Sequence, residues 1–70
     1  MDKQELDKNI IYLLDKYYFD ENRKNHLINE VKNSKNPIAK YILHEMKKDS
    51  VKVDNELDGR LIKEIFFHFG

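Results

Sequence analysis

The segment DNELDGRLIKEI, which begins at Asp54, is the part of the sequence closest to a metal site in residue type and spacing. An EF-hand calcium loop takes oxygen ligands at positions 1, 3 and 5, glycine at position 6 and a bidentate glutamate at position 12. Counted from Asp54, acidic residues and Gly59 fall in register, but Ile65 occupies the position of the glutamate. The missing ligand predicts that no calcium binds. We interpret the segment as the start of a helix, with Asn55 and Asp58 in a capping arrangement.

The other residues that could do chemistry are not arranged as a site. The histidines are widely spaced, and Glu64 and His68 have the spacing of an ordinary surface pair on a helix. Ser34 and Ser50 have no evident histidine and acid partners, and the chain has neither cysteine nor a glycine-rich phosphate loop. We also expect so small a bundle to lack a typical ligand pocket of ~300 Å³ or more. The sequence therefore predicts no metal site, no cofactor and no enzyme activity.

Composition narrows the class of protein further. Thirteen basic and thirteen acidic residues cancel, whereas a general nucleic-acid-binding protein is usually basic. No apolar run approaches the ~20 residues of a membrane span, and the charged start MDKQELDK lacks the apolar stretch of a signal peptide. We therefore expect one domain over residues 1–70, soluble and cytoplasmic. Chains of this length often need a disulfide, a metal or a second subunit for stability.

The small number of helix-breaking residues predicts an all-α fold, a small bundle of three to four helices. The predicted helices cover about 3–18, 20–33, 37–48 and 56–69, with an extended loop at about 49–55. Asp20 and Asn36 are the expected N-cap residues of the second and third helices, and Pro37 is expected at the first helical position of the third. Val51 and Val53 alternate as in a strand, but without a partner strand we expect them to point inward from the loop.

Helical spacing gathers apolar residues into one arc on each of the first, third and fourth helices. The fourth helix has the widest arc, so we expect it to be the central helix of the bundle. The members of that arc are Leu57, Leu61, Ile62, Ile65, Phe66 and Phe69.

Each of these three helices also carries one aromatic residue outside its arc. Phe67 projects between Arg60 and Lys63 on the polar side of the fourth helix, and Tyr12 and Tyr41 lie on the polar sides of the first and third. Half-exposed tyrosines are ordinary in folded proteins. Phe67 has no polar group, and aromatic residues and arginine are frequent interface hot spots. These residues form the predicted partner-binding set.

The third helix supports a different interpretation. Its outer face carries Lys40, His44, Lys47 and Lys48, and a short turn joins it to the second helix. A helix-turn-helix protein places its second helix in the DNA major groove in this way. However, the turn lacks the usual glycine, and the helix has no arginine or glutamine to read base edges.

The sequence therefore predicts a small, non-catalytic protein-interaction module. It would bind a partner protein and act as an inhibitor, an immunity-type protein or a regulatory adaptor, as small proteins of phages and mobile elements do. The alternative is a small helix-turn-helix-like DNA-binding regulator that uses the outer face of the third helix. A homodimer is a related hypothesis, in which a second copy covers Phe67 through a two-fold contact.

Overall fold

The computed structural model describes residues 1–69 of the chain. These residues form four α-helices joined by short segments. Within those residues there is no strand, which confirms the all-α bundle predicted from the sequence. The helices are α1 (Lys3–Tyr17), α2 (Glu21–Asn33), α3 (Ala39–Lys48) and α4 (Glu56–Phe69).

Side chains with an acceptor oxygen cap the starts of α1, α2 and α4. Asp2 caps α1, Asp20 caps α2 and Asn55 caps α4, each accepting backbone N–H groups of the first turn. These N–H groups have no partner within the helix, so the caps satisfy donors that would otherwise depend on water. The predicted caps Asp20 and Asn55 are confirmed.

The start of α3 differs from the prediction. Asn36 does not cap the helix and Pro37 is not its first residue, because α3 begins at Ala39, with Ile38 at the N-cap position and no side-chain cap. The hydroxyl of Ser34 donates to the carbonyl oxygen of Asn36 at 2.6 Å and forms a local turn. Ile38, with φ −118° and ψ 20°, lies outside the helical range, so the regular helix begins only at Ala39.

The end of α3 is a Schellman motif. The N–H of Val51 donates to the carbonyl of Met46 at 2.9 Å, and the N–H of Ser50 donates to the carbonyl of Lys47 at 3.0 Å. Ser50 has a φ of 59°, the left-handed conformation that this motif usually assigns to glycine. The reversal of the chain packs Val51 and Val53 against the core, as the sequence predicted.

The prediction that α4 is the central helix is wrong. α1 packs against α2 and α3, and α3 packs against α1 and α4, whereas α4 packs mainly against α3. The buried apolar side chains form one cluster, to which α4 contributes Ile65 alone among the described residues. The members of this core are Leu6, Ile10, Leu13, Leu14, Tyr18, Leu27, Val31, Ala39, Ile42, Leu43, Met46 and Ile65.

The buried side of α4 is narrower than the arc read from the sequence. Leu57 is 71% exposed and Phe66 is 41% exposed, so the prediction that both lie in the core is wrong. Both residues lie at the edges of the predicted arc, and α4 meets its neighbours only along the middle of that arc. The partly buried members of the arc are Leu61 and Ile62. The side chain of Phe69 lies outside the described part of the chain.

The fully buried position of Ile65 gives a stability prediction. Ile65→Ala should lower the free energy of unfolding by about 2–4 kcal/mol, because it removes buried methyl groups and leaves a cavity. Leu57→Ala, on the same helix but exposed, should change it by less than about 0.5 kcal/mol. Urea unfolding of the two variants makes the comparison. Equal losses would contradict the observed orientation of α4.

The left-handed conformation of Ser50 gives a second prediction. Ser50→Gly should raise the free energy of unfolding by about 0.5–1 kcal/mol, because glycine adopts this conformation without a Cβ clash. Ser50→Ala is the matched control, since it removes the hydroxyl but keeps the Cβ and should gain nothing. A gain of similar size in both variants would show that the hydroxyl, not the backbone conformation, is unfavourable.

Candidate functional site

The first turn of α4 is joined to α1 through the carboxylate of Asp58, which is only 4% exposed. Tyr12 donates its hydroxyl to Oδ1 at 2.8 Å, Lys16 donates Nζ to Oδ2 at 2.7 Å, and Tyr17 also donates to Oδ2. The hydrogen bond from Lys16, followed by those from Tyr17 and Tyr12, lowers the pKa of Asp58. We call these residues the Asp58 cluster. Asp58 raises the pKa of Lys16 and Tyr17 in return, in both cases chiefly through the same hydrogen bonds.

The Asp58 cluster corrects one part of the sequence interpretation. The carboxylate of Asp58 accepts from α1, so the expected capping arrangement reduces to Asn55 alone. The interpretation of this segment as a capped helix start is otherwise confirmed. In residues 1–69, no three histidine, aspartate or glutamate residues lie together as metal ligands would. The expectation that no metal binds stays a prediction.

A second polar cluster joins the ends of α1, α2 and α3. Asp49 Oδ2 accepts from the hydroxyl of Tyr18 at 2.7 Å and from Nε of Arg23 at 2.9 Å. Arg23 also donates Nη2 to Glu45 at 2.9 Å. The bond from Tyr18, then that from Arg23, lowers the pKa of Asp49. Arg23 thus turns both of these carboxylates of the α3 end toward α2.

Two grooves contradict the expectation that the bundle has no pocket-sized space. One, of about 930 Å³, passes Tyr18, Arg23 and Asp49 and reaches Asn55. The other, of about 560 Å³, lies between α3, the loop of residues 49–55 and α4. The chain leaves this space because the loop crosses from α3 to α4 without a helix to fill it. We call the second one the α3–α4 groove.

The α3–α4 groove is apolar inside and basic at its edge. Among the described residues, no aspartate or glutamate lines it. The lining residues are Leu43, His44, Met46, Lys47, Ser50, Val51, Lys52, Val53, Ile62 and Phe66.

Three of the predicted partner-binding residues share the outer face of α4. Phe67 is 87% exposed, as its position on the helix predicted, and Arg60 and Lys63 are exposed beside it. Arg60 forms an exposed ion pair with Glu56 at 2.9 Å. The ring of Phe67 meets the ring of His68 edge-on, with the centroids 5.3 Å apart.

The two tyrosines of that set lie elsewhere. Both are half-exposed, but Tyr12 belongs to the Asp58 cluster and Tyr41 lies beside Glu30 of α2. Desolvation, followed by the charge of Glu30, raises the pKa of Tyr41. The structure therefore does not bring either tyrosine to the outer face of α4.

The basic residues of α3 are exposed, as the alternative interpretation requires. They do not form one uniform face, because His44 and Lys47 line the α3–α4 groove. Lys47 and Lys48 belong to the last turn of the helix, where cations also favour the negative end of the helix dipole.

Phe19, which the sequence did not single out, is 97% exposed between α1 and α2. An apolar residue just before an N-cap normally packs on an apolar residue at the fourth helical position. In α2 that position is Lys24, which instead approaches Glu21 and Asp15. The missing staple partner could have identified Phe19 as exposed.

The chain matches none of the protein-family models, curated proteins or solved structures with which it was compared. Among the described residues, no helix is both long enough and apolar enough to cross a membrane.

The lowered pKa of Asp58 predicts a pH-dependent stability difference. Asp58→Asn should lower the melting temperature at pH 7, because it removes the ion pair with Lys16 and the charged acceptor of both tyrosines. A depressed folded-state pKa stabilises the protein above the unfolded-state pKa of about 3.9, and this contribution is lost as the pH falls through the folded-state value. The difference from the unmodified chain should therefore shrink below about pH 4.

Thermal melts between pH 2 and 7 measure this difference. Asp54→Asn is the matched control, since Asp54 is exposed and only four residues from Asp58. A loss that stays constant across the pH range would show that the Asp58 carboxylate is not stabilising as a charge.

Proposed function

We propose that the chain is a small, non-catalytic protein-interaction module that acts as an inhibitor, an immunity-type protein or a regulatory adaptor. It works by binding a partner protein and occluding or bridging it. A cytoplasmic site of action and an origin in a phage or mobile element belong to the same proposal. The observation that supports it most directly is Phe67, a large apolar side chain on the solvent side of α4.

The surroundings of Phe67 suit an interface. Burial of a phenylalanine side chain contributes about 1.5–3 kcal/mol, and the bundle itself gains almost none of this from Phe67. Arg60 and Lys63 would form a polar rim around it, as in interfaces with an apolar centre. Arg60 forms an exposed ion pair with Glu56. A carboxylate of the bound protein could take the place of Glu56, and the guanidinium would then stay paired in the interface.

Phe67→Ala tests this proposal. The free energy of unfolding should change by less than about 0.5 kcal/mol, as is usual for a surface residue. Binding of a partner, or self-association, should weaken by more than about 1 kcal/mol. Urea unfolding gives the first quantity. Capture from a lysate of the source organism, followed by titration of the retained protein, and sedimentation of the free chain give the second.

Phe19→Ala is the matched control, because Phe19 is at least as exposed but lies between α1 and α2. It should leave binding unchanged. Loss of stability in Phe67→Ala would show that this side chain supports the fold, and equal effects of both variants would exclude the outer face of α4 as a specific interface. If the unmodified chain retained no protein and stayed monomeric, the proposed function itself would be wrong.

The second candidate is DNA binding through α3, which the exposed basic residues of that helix favour. Helix-turn-helix proteins contact base edges with the N-terminal residues of the recognition helix, whereas Lys47 and Lys48 are in the last turn of α3. Salt dependence separates the two candidates. The logarithm of DNA affinity falls with the logarithm of salt by about 0.9 per phosphate contact, while an apolar protein interface is much less sensitive.

A further inference from the structure

The α3–α4 groove exposes apolar surface that the core does not cover. Leu43 and Met46 reach it from the core, and Phe66 lines it from the edge of α4. The remaining apolar lining consists of Val51, Val53 and Ile62. Phe66 is thus exposed, which the sequence did not predict, because it lines the apolar α3–α4 groove, and it is not an isolated apolar residue on the surface.

The charged side chains that line the α3–α4 groove in the described chain are basic. Lys47 and Lys52 are exposed at its edge together with His44, and the part of the chain that the structure describes adds no aspartate or glutamate to its lining. Within residues 1–69, neither of these lysines is paired with a carboxylate. The carboxylates of Glu45 and Asp49, close to Lys47 in sequence, bind Arg23 on the other side of α3. The fold therefore separates these charges, with Glu45 and Asp49 facing α2 and Lys47 lining the groove.

We propose that the α3–α4 groove binds an acidic amphipathic helix of a partner protein. The inference rests on the proposed function and specifies the site and the chemistry of the partner. Helices dock in apolar grooves through side chains at positions i, i+3, i+4 and i+7. Glutamate or aspartate beside these positions would meet Lys47 and Lys52, since complementary charge at the rim directs association and orientation.

A second copy of this chain is a poorer occupant. The helices of the bundle turn their main apolar sides toward their own core. Among residues 1–68, the most exposed apolar residues outside the groove are Phe19, Leu57 and Phe67, of which Phe19 lies outside any helix. Leu57 and Phe67 lie on one helix but ten positions apart, too far to act as adjacent anchors of the i, i+3, i+4 kind.

The experiment uses a fluorescein-labelled synthetic peptide of about four helical turns, with leucines at positions i, i+3, i+4 and i+7 and glutamates beside them. Fluorescence anisotropy measures its binding to the full chain at low salt. A second peptide replaces each glutamate by lysine, and a third keeps the composition but scrambles the leucine positions. The acidic peptide should bind at least about tenfold more tightly than either control peptide.

Paired charge reversals test the site. The double variant Lys47→Glu, Lys52→Glu should weaken binding of the acidic peptide at least about tenfold. The double variant Lys32→Glu, Lys35→Glu makes the same change of net charge near the opposite end of α3 and should stay within about twofold. Phe66→Ala should weaken binding about tenfold by removing an apolar contact, with urea unfolding as the check that the variant folds.

Several results would overturn the proposal. They are the absence of saturable binding of the acidic peptide up to about 1 mM, equal binding of the lysine peptide, and equal effects of the two double variants. Displacement of the peptide by duplex DNA would indicate the nucleic-acid alternative. Self-association that Phe66→Ala abolishes would indicate a second copy as the occupant.

The lysate capture described for Phe67 separates this proposal from the proposed function. If capture of a partner depends on Phe67 but not on Lys47 and Lys52, the proposed function stands and the groove is not its site. If the reversal of Lys47 and Lys52 removes the captured protein and Lys32→Glu, Lys35→Glu does not, both proposals are supported. If neither the unmodified chain nor any variant captures a protein, the groove proposal falls together with the proposed function.

Discussion

The position of α4 depends on how one buried carboxylate is neutralised. Asp58 is the one charged side chain that the described residues bury, and a buried carboxylate is unfavourable unless an opposite charge and hydrogen bonds replace its water. Lys16 supplies the charge, and Tyr12 and Tyr17 supply further hydrogen bonds. α4 otherwise contributes Ile65 to the core of the described chain, with Leu61 and Ile62 partly buried against it, so this contact acts with those side chains to fix which side of α4 faces α1. The direction of its outer face follows from the same contacts.

The helices could be predicted to the extent that their signals are local. Asp20 and Asn55 precede their helices in the sequence and cap them in the structure. The start of α3 was missed because a turn at Ser34 competes with the cap. The burial of Leu57 and Phe66 was misjudged for a different reason. A helical wheel shows which apolar residues share one side of a helix. How much of that side is buried depends on the neighbouring helices, and α4 has few neighbours.

The candidate surfaces were predictable in part for the same reason. Phe67 lies opposite the buried side of its own helix, so its exposure follows from periodicity alone. The α3–α4 groove could not be predicted from periodicity, because it depends on the relative placement of α3 and α4 and on the left-handed turn at Ser50. The separation of charge around α3 also depends on contacts across the chain. Arg23 reaches Glu45 and Asp49 over 22 and 26 residues, a distance at which net charge and local patterns carry no information.

The α3–α4 groove has a consequence for the dynamics of the bundle. Ile62 and Phe66 form its side on α4, so the groove exists only while α4 is docked. Any molecule that fills it binds the docked state alone and must stabilise that state by mass action. The amides of α4 should then exchange with solvent more slowly than in the free chain, since local opening of this helix would first require release of the occupant. Occupancy of the groove and docking of α4 are thus coupled equilibria.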